Sequence, residues 1–448
     1  MKPVILCVLC LASMFPARAQ ETQLGADFRG EGERLAANCG KFTIGGIGDC
    51  AQTLFTDHPL HIAVGSIAPQ NGFAAGPAFV AHYTPNESWR LSWDVDAVAS
   101  ENLSWRAGAY MTAVLTRHRQ ITTGPSKRKL AVGEYPVFHA YAQAISLNKI
   151  TYFGEGPSSP VTAQSYFGMR ETIVGTNVIW PVPGSLHLSL YGEANGRFVD
   201  IRPGDGQPVA PVLGNQPAFA QFGEGIRLTP ALAGGHVRFN YALTFQEYAA
   251  TGSSNSFRRF TADLSHEFPL YSRTTEALNN DFNGPDDCSP DVAVKTCPPV
   301  KQTTRNRTGS FGLRFLYTGS FVSAGNTVPF YFQPTLGGSD INGIPFLSSY
   351  LDYRFRAPDL LGVRGSFEHS VYGPFGITAM VDEGKVALQP GDLGFSHLAH
   401  SYAAGVTVRA GGLPAIFLMF AWGGHEGTHT IASVDTSLLG GSARPSLY

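Results

Sequence analysis

The feature that most limits what this chain can fold into is an apolar–polar alternation held over ten to twelve residues and repeated along its length. Trp89, Leu91, Trp93, Val95 and Ala97 alternate with Arg90, Ser92, Asp94 and Asp96. Val237, Phe239, Tyr241, Leu243 and Phe245 alternate with Arg238, Asn240, Ala242, Thr244 and Gln246, and Phe311 to Thr318 repeats the pattern. Period two places one residue class on each face of a strand, so each segment has a greasy side and a wet side. A soluble sandwich of two sheets offers that arrangement, and so does a membrane barrel. Soluble strands average nearer six residues, whereas a tilted strand needs about ten to cross a bilayer. Trp89, Trp93, Trp105 and Trp422 lie on the apolar side, as interfacial girdles require. The polar side carries too much charge for a dry core. The pattern therefore predicts an all-β fold, a transmembrane antiparallel β-barrel, with a soluble β-sandwich as the rival.

Sixteen candidate strands begin near residues 60, 72, 88, 103, 136, 164, 185, 217, 235, 257, 308, 350, 375, 401, 414 and 429. An even count lets both ends of the sheet meet, and closure removes exposed edges. Pro77 weakens the second candidate, because proline donates no ladder hydrogen bond. Charged residues make up 15% of the chain and aromatics 12%, beside 51 glycines, which suits many strands joined by tight turns. A formal net charge of −2 gives no electrostatic footprint for nucleic acid, so no nucleic-acid partner is expected.

Residues 1–19 read as a secretory signal: Lys2, an apolar run from Val4 to Phe15, then Ala17-Arg18-Ala19. Residues 20–59 read as a short periplasmic segment with a helix over Glu31–Asn38, and 60–448 as the barrel. Cys39, Cys50, Cys288 and Cys297 fall into two close pairs. Local disulfides Cys39–Cys50 and Cys288–Cys297 are expected in an exported chain, with a metal site as the rival.

The stretch from Pro334 to Val386 carries a resemblance. It holds Leu336-Gly337-Gly338, a tip at Ile341-Asn342-Gly343-Ile344, and Met380-Val381-Asp382-Glu383-Gly384 after a Gly373-Pro374 turn. These elements resemble the bacterial surface antigen family of outer-membrane β-barrels, which includes barrel-assembly proteins and two-partner-secretion transporters. The likeness covers about residues 330–445. It implies a loop folded into the lumen, turning at Gly337 and Gly338 and anchored near Asp382 and Gly384. The family's tip arginine pairs with the strand aspartate. Here Asn342 stands at the tip beside Gly343, so the expectation is a neutral hydrogen bond from Asn342 to Asp382 and no ion pair. Val363-Arg364-Gly365 copies the tip motif, but it lies within a strand and close to Asp382, and reads as coincidence. Forty residues before the barrel cannot hold a family periplasmic domain.

His425-Glu426-Gly427-Thr428-His429 spells a zinc-protease pattern, yet that chemistry needs a helix to put both histidines on one face. The flanking residues are strand-like, so it reads as an outer hairpin. No metal, no cofactor and no enzyme activity are expected. Long connections are expected at 118–134, with a basic cluster from Arg117 to Lys129, and at 273–307. Arg90, Asp94, Asp96, Arg106, Arg170, Glu171, Arg238 and Arg314 are candidates for the lumen wall. The resemblance implies a Gram-negative outer membrane, contact with outer-membrane lipid, and insertion or translocation of unfolded outer-membrane or secreted polypeptides. A passive porin-like channel is the alternative, and a monomer is the expected state.

Overall fold

The computed structural model describes residues 23–39, 59–86, 88–116, 135–183, 187–211, 214–252, 254–279, 300–372, 375–410, 413–424, 426–434 and 444–447. The chain divides into two compact units, Met1–His61 and Ile62–Tyr448. The described part of the first unit is mainly helix α1, Gln23–Cys39, longer than the expected Glu31–Asn38. Cys39 is disulfide-bonded. Cys50, Cys288 and Cys297 lie outside the described residues, as do the signal segment and the basic cluster at 117–129.

Among the described residues, sixteen strands of at least seven residues make one sheet, joined by the two-residue strand Ala231–Leu232. They are β1 Leu60–Ser66, β2 Phe73–Asn86, β3 Trp89–Ser100, β4 Trp105–Leu115, β5 Val137–Tyr152, β6 Ser165–Pro181, β7 Leu188–Pro203 and β8 Gly214–Leu228. The series continues with β9 Val237–Ala250, β10 Phe257–Asn279, β11 Val300–Val322, β12 Asp359–Tyr372, β13 Phe375–Ala387, β14 Ala399–Ala410, β15 Leu413–Gly424 and β16 Gly427–Val434. Ladders from β2 to β16 join each strand to the next in chain order, all antiparallel. β1 pairs with β2. Fourteen of the sixteen expected starts fall within three residues of these. Pro77 does sit inside β2, where the ladder to β3 skips from Ala75 to Ala78.

Two expectations need correction. Tyr350–Arg356 is not the start of the twelfth strand: Leu347 and Tyr353 adopt positive φ (53° and 61°), which breaks an extended run. Only Phe355–Arg356 pairs, with Thr335–Leu336, and β12 begins after Pro358. The connection expected over 273–307 is also narrower than expected, because β10 and β11 pair out to Asn279 and Val300; residues 280–299 lie outside the described residues.

The alternation resolves into two faces. On β15 the outward Ile416, Leu418, Phe420 and Trp422 are exposed, while the intervening Met419 and Ala421 are buried. Trp93 and Val95 on β3, and Ile377 and Val381 on β13, continue the exposed apolar band. Water would make such a surface costly over so many strands, whereas acyl chains match it. The opposite face is buried around the segment between β11 and β12, residues 323–358. Among the described residues the long strands form one sheet around this segment, and the second sheet is the two-stranded pair within the segment itself, so the arrangement is that of a membrane-spanning β-barrel and not of two stacked sheets. Arg170 departs from expectation: it is exposed and Glu171 buried, so Arg170 points outward near the strand start.

Candidate functional site

The 323–358 segment fills the barrel because its own turns fold it into a compact hairpin. Gly337 and Gly338 have φ of 99° and 56°, and the space behind them is taken. A Cβ on Gly337 would sit 2.5 Å from Arg354 Cβ, and one on Gly338 would sit 2.6 Å from the Asp352 backbone nitrogen. Their amides donate to the Phe346 and Leu347 carbonyls, closing the hairpin. At its tip the Asp340 carboxylate accepts from the Asn342 and Ile344 amides at 3.0 and 2.8 Å, a side-chain-capped turn that Gly343 completes at φ 80°. The Asp352 carboxylate accepts from the Ser339 amide at 2.8 Å. Burial raises the Asp352 carboxyl above its ordinary range, opposed by the Ser339 amide, Gln70 and His429. The Tyr353 hydroxyl is pushed well above its ordinary value by burial, with Asp352 and Asp340 adding to it.

Two neighbouring strands grip this hairpin. Arg364 on β12 is the register partner of Asp382 on β13. Their side chains form a bidentate pair, Nε to Oδ1 at 2.6 Å and Nη2 to Oδ2 at 2.9 Å. The pair also binds the loop backbone: Arg364 donates to the Pro345 carbonyl at 2.7 Å, and Asp382 accepts from the Leu347 amide at 2.9 Å. Phe346 lies between those contacts with the Arg364 guanidinium 4.8 Å from its ring centre. Beneath it, Gly362 and Gly384 face each other across the ladder. A Cβ on Gly362 would come within 2.7 Å of the Phe346 ring, and one on Gly384 within 3.0 Å of Leu336 Cδ1.

Further contacts fix the segment to strands and loops round the barrel. Arg259 on β10 donates to the Phe332 carbonyl. Gln333 donates to Glu155, and Gly156 to the Arg356 carbonyl, in the β5–β6 connection. Ser349 donates to the Ser401 hydroxyl on β14 at 2.9 Å, and the Tyr353 hydroxyl to the Pro69 carbonyl at 3.2 Å. Arg354 pairs with Glu426 in the β15–β16 hairpin and donates to the Ser159 carbonyl at 2.8 Å. Glu426 of the zinc-protease spelling is thus an anchor for an arginine on a hairpin.

Against the sequence reading, Gly337, Gly338, Gly343, Asp382 and Gly384 all belong to the loop or its seat. Asn342 does not meet Asp382; it meets Ser446 and Leu447. The aspartate does have an ion-pair partner, and it is Arg364 of the motif read as coincidence. Among the lumen candidates, Asp96 and Arg106 pair at 3.1 Å, and Glu171 pairs at 2.8 Å with Arg197, which the sequence reading omitted. Arg314 pairs with Asp263, and Arg238 more loosely with Glu267 at 3.7 Å. Phe346, Gly362 and Arg197 carried no motif signal. Arg364 did: it lies eighteen residues before Asp382 with Gly373-Pro374 midway in sequence, a spacing that fits a hairpin pair.

No family model matches the chain, and no curated protein matches it. Solved barrels do. CdiB from Acinetobacter baumannii is 10% identical over 84% of this chain and 57% of its own, with a TM-score of 0.45. BamA from Haemophilus ducreyi lacking POTRA domains 1-3 is 11% identical over 84% of this chain and 68% of its own, with a TM-score of 0.44. CdiB from Escherichia coli is 12% identical over 85% of this chain and 61% of its own, with a TM-score of 0.46. The chain therefore spans less than two thirds of either CdiB, and each of these structures is something it is similar to.

Proposed function

We propose that this chain is an outer-membrane barrel that inserts or translocates polypeptides, of the kind the surface antigen family comprises. The observation that carries the reading is the inward hairpin clamped at Pro345 and Leu347 by Arg364–Asp382. Its ion pair uses an arginine from the adjacent strand where the family uses one from the loop tip. The clamp keeps its chemistry, a bidentate pair touching the loop backbone on both sides of an aromatic ring. A passive channel needs an open path, whereas Phe332, Leu336, Leu347 and Tyr353 of the loop are all buried inside the barrel. The outward apolar band supplies the contact with outer-membrane lipid, and the polypeptide client is the partner that the family resemblance supplies.

The test is planar-bilayer recording of the purified barrel beside a variant lacking residues 326–355. The proposal expects brief, irregular openings from the intact chain and large steady conductance without the loop. Steady porin-like conductance from the intact chain would favour the passive channel. In cells, loss of the chain should remove at least one polypeptide from the outer membrane or medium, restored by the natural chain and not by Asp382→Ala.

A further inference from the structure

The lumen holds a second chain segment besides the loop. Arg444 to Leu447, beyond the last strand, meet residues of its wall and of the loop without joining any strand. Arg444 Nη2 donates to Asp96 Oδ2 at 2.8 Å. Arg197 Nη2 donates to the Ser446 carbonyl at 2.8 Å. Asn342, at the loop tip, grips two successive residues: its Oδ1 accepts from the Leu447 amide at 2.9 Å and its Nδ2 donates to the Ser446 hydroxyl at 3.3 Å. Leu447 is buried in the cluster that contains Phe332, Tyr331 and Tyr353.

We infer that Asp96, Arg197 and Asn342 form a peptide-binding site, and that residues 444–447 are its built-in occupant. Two of the four polar contacts are to backbone groups that any extended peptide presents. The other two, with the Leu447 pocket, select an arginine three positions before an aliphatic residue and a hydroxyl between them. The site is also built to be vacated. Asp96 keeps Arg106 at 3.1 Å when Arg444 leaves, and Arg197 keeps Glu171 at 2.8 Å and Gln221. Removing a partner from a buried ion pair ordinarily costs several kcal/mol because a charge is left uncompensated. Here no buried charge is orphaned by departure, so the segment exchanges with another peptide at the cost of its own contacts alone. The inference rests on these contacts, not on whether the barrel moves polypeptides.

The experiment uses the purified chain in detergent, intact or with residues 441–448 removed, each checked for folding by heat-modifiable migration. A fluorescent synthetic peptide of residues 441–448 is titrated by anisotropy. The trimmed chain should bind it saturably, and the intact chain at least about tenfold more weakly because the site is filled. Asn342→Ala in the trimmed chain, or a peptide with glutamate in place of its arginine, should each weaken binding by about fivefold or more. If trimming prevents folding, the full-length double variant Arg444→Ala/Leu447→Ala takes its place, with the same expectation. No saturable binding to the vacated site, or equal binding to filled and vacated forms, would overturn the inference.

Discussion

Gly362 lies directly opposite Gly384 on the neighbouring strand, two residues along from the Arg364–Asp382 pair, and together the two glycines make the floor on which Phe346 rests. The clamp above and the floor below act on the same ring. Each can be disturbed separately, which makes the latch open to dissection.

Removing the carboxylate should release the loop. Asp382→Ala takes away the carboxylate that pairs Arg364, leaving it the Pro345 carbonyl, and removes the acceptor of the buried Leu347 amide, at a cost of about 3–5 kcal/mol. Limited proteolysis of the folded barrel should then cut within 335–350, where the natural chain resists. Unchanged protection would count against the clamp.

Filling the floor should be selectively harmful. Gly362→Ala drives a methyl to 2.7 Å from the Phe346 ring, an overpacking worth about 1–3 kcal/mol. Gly384→Ala comes no closer than 3.0 Å to Leu336 Cδ1 and 3.1 Å to the Leu361 carbonyl oxygen, and should cost less. Combining Gly362→Ala with Phe346→Leu should recover part of the loss in thermal migration shift, because the smaller side chain vacates the contested space.

Charge on the outer face should be costly by depth. Arginine at Leu418, midway along β15, should cost about 2–4 kcal/mol in folding into lipid vesicles. At Phe375, the first residue of β13, the same change should cost about 0–1 kcal/mol. Equal tolerance at both positions would deny that this band meets lipid.

Acid should tighten the loop at one point. Burial raises the Asp352 carboxyl in the folded chain, so its contribution is full below the ordinary value of 3.8 and is lost as pH rises through the folded value. Asp352→Asn retains an acceptor for the Ser339 amide and removes the titration. The variant should match the natural chain in acid and protect the loop better at neutral pH, read as proteolysis rate against pH. A variant that loses protection at neutral pH would show that the charge itself holds the loop.

How far this was legible depends on the range of the interactions. Alternation is local, so Trp89–Ala97 or Val237–Gln246 announce their strands, and tight turns place the starts. The run Tyr350–Arg356 misled because its aromatics alternate with charge as strand residues do. They are instead sorted by contacts on distant strands and loops: Arg354 by Glu426, Tyr353 by Pro69.

The sequence alone determined the two-faced strands and their count, since both follow from residues a few positions apart. Only the tertiary structure decided the partner of Asp382. Counted back from the pair Tyr372–Phe375, an unbroken ladder would set Arg364 against Glu383, on the other face. The bulge between Ser370 and Tyr372 shifts the register by one and turns Arg364 toward Asp382. Neighbouring residues do not specify a one-residue bulge; at this one the buried Ser370 hydroxyl accepts from the Thr308 amide of β11 at 3.0 Å.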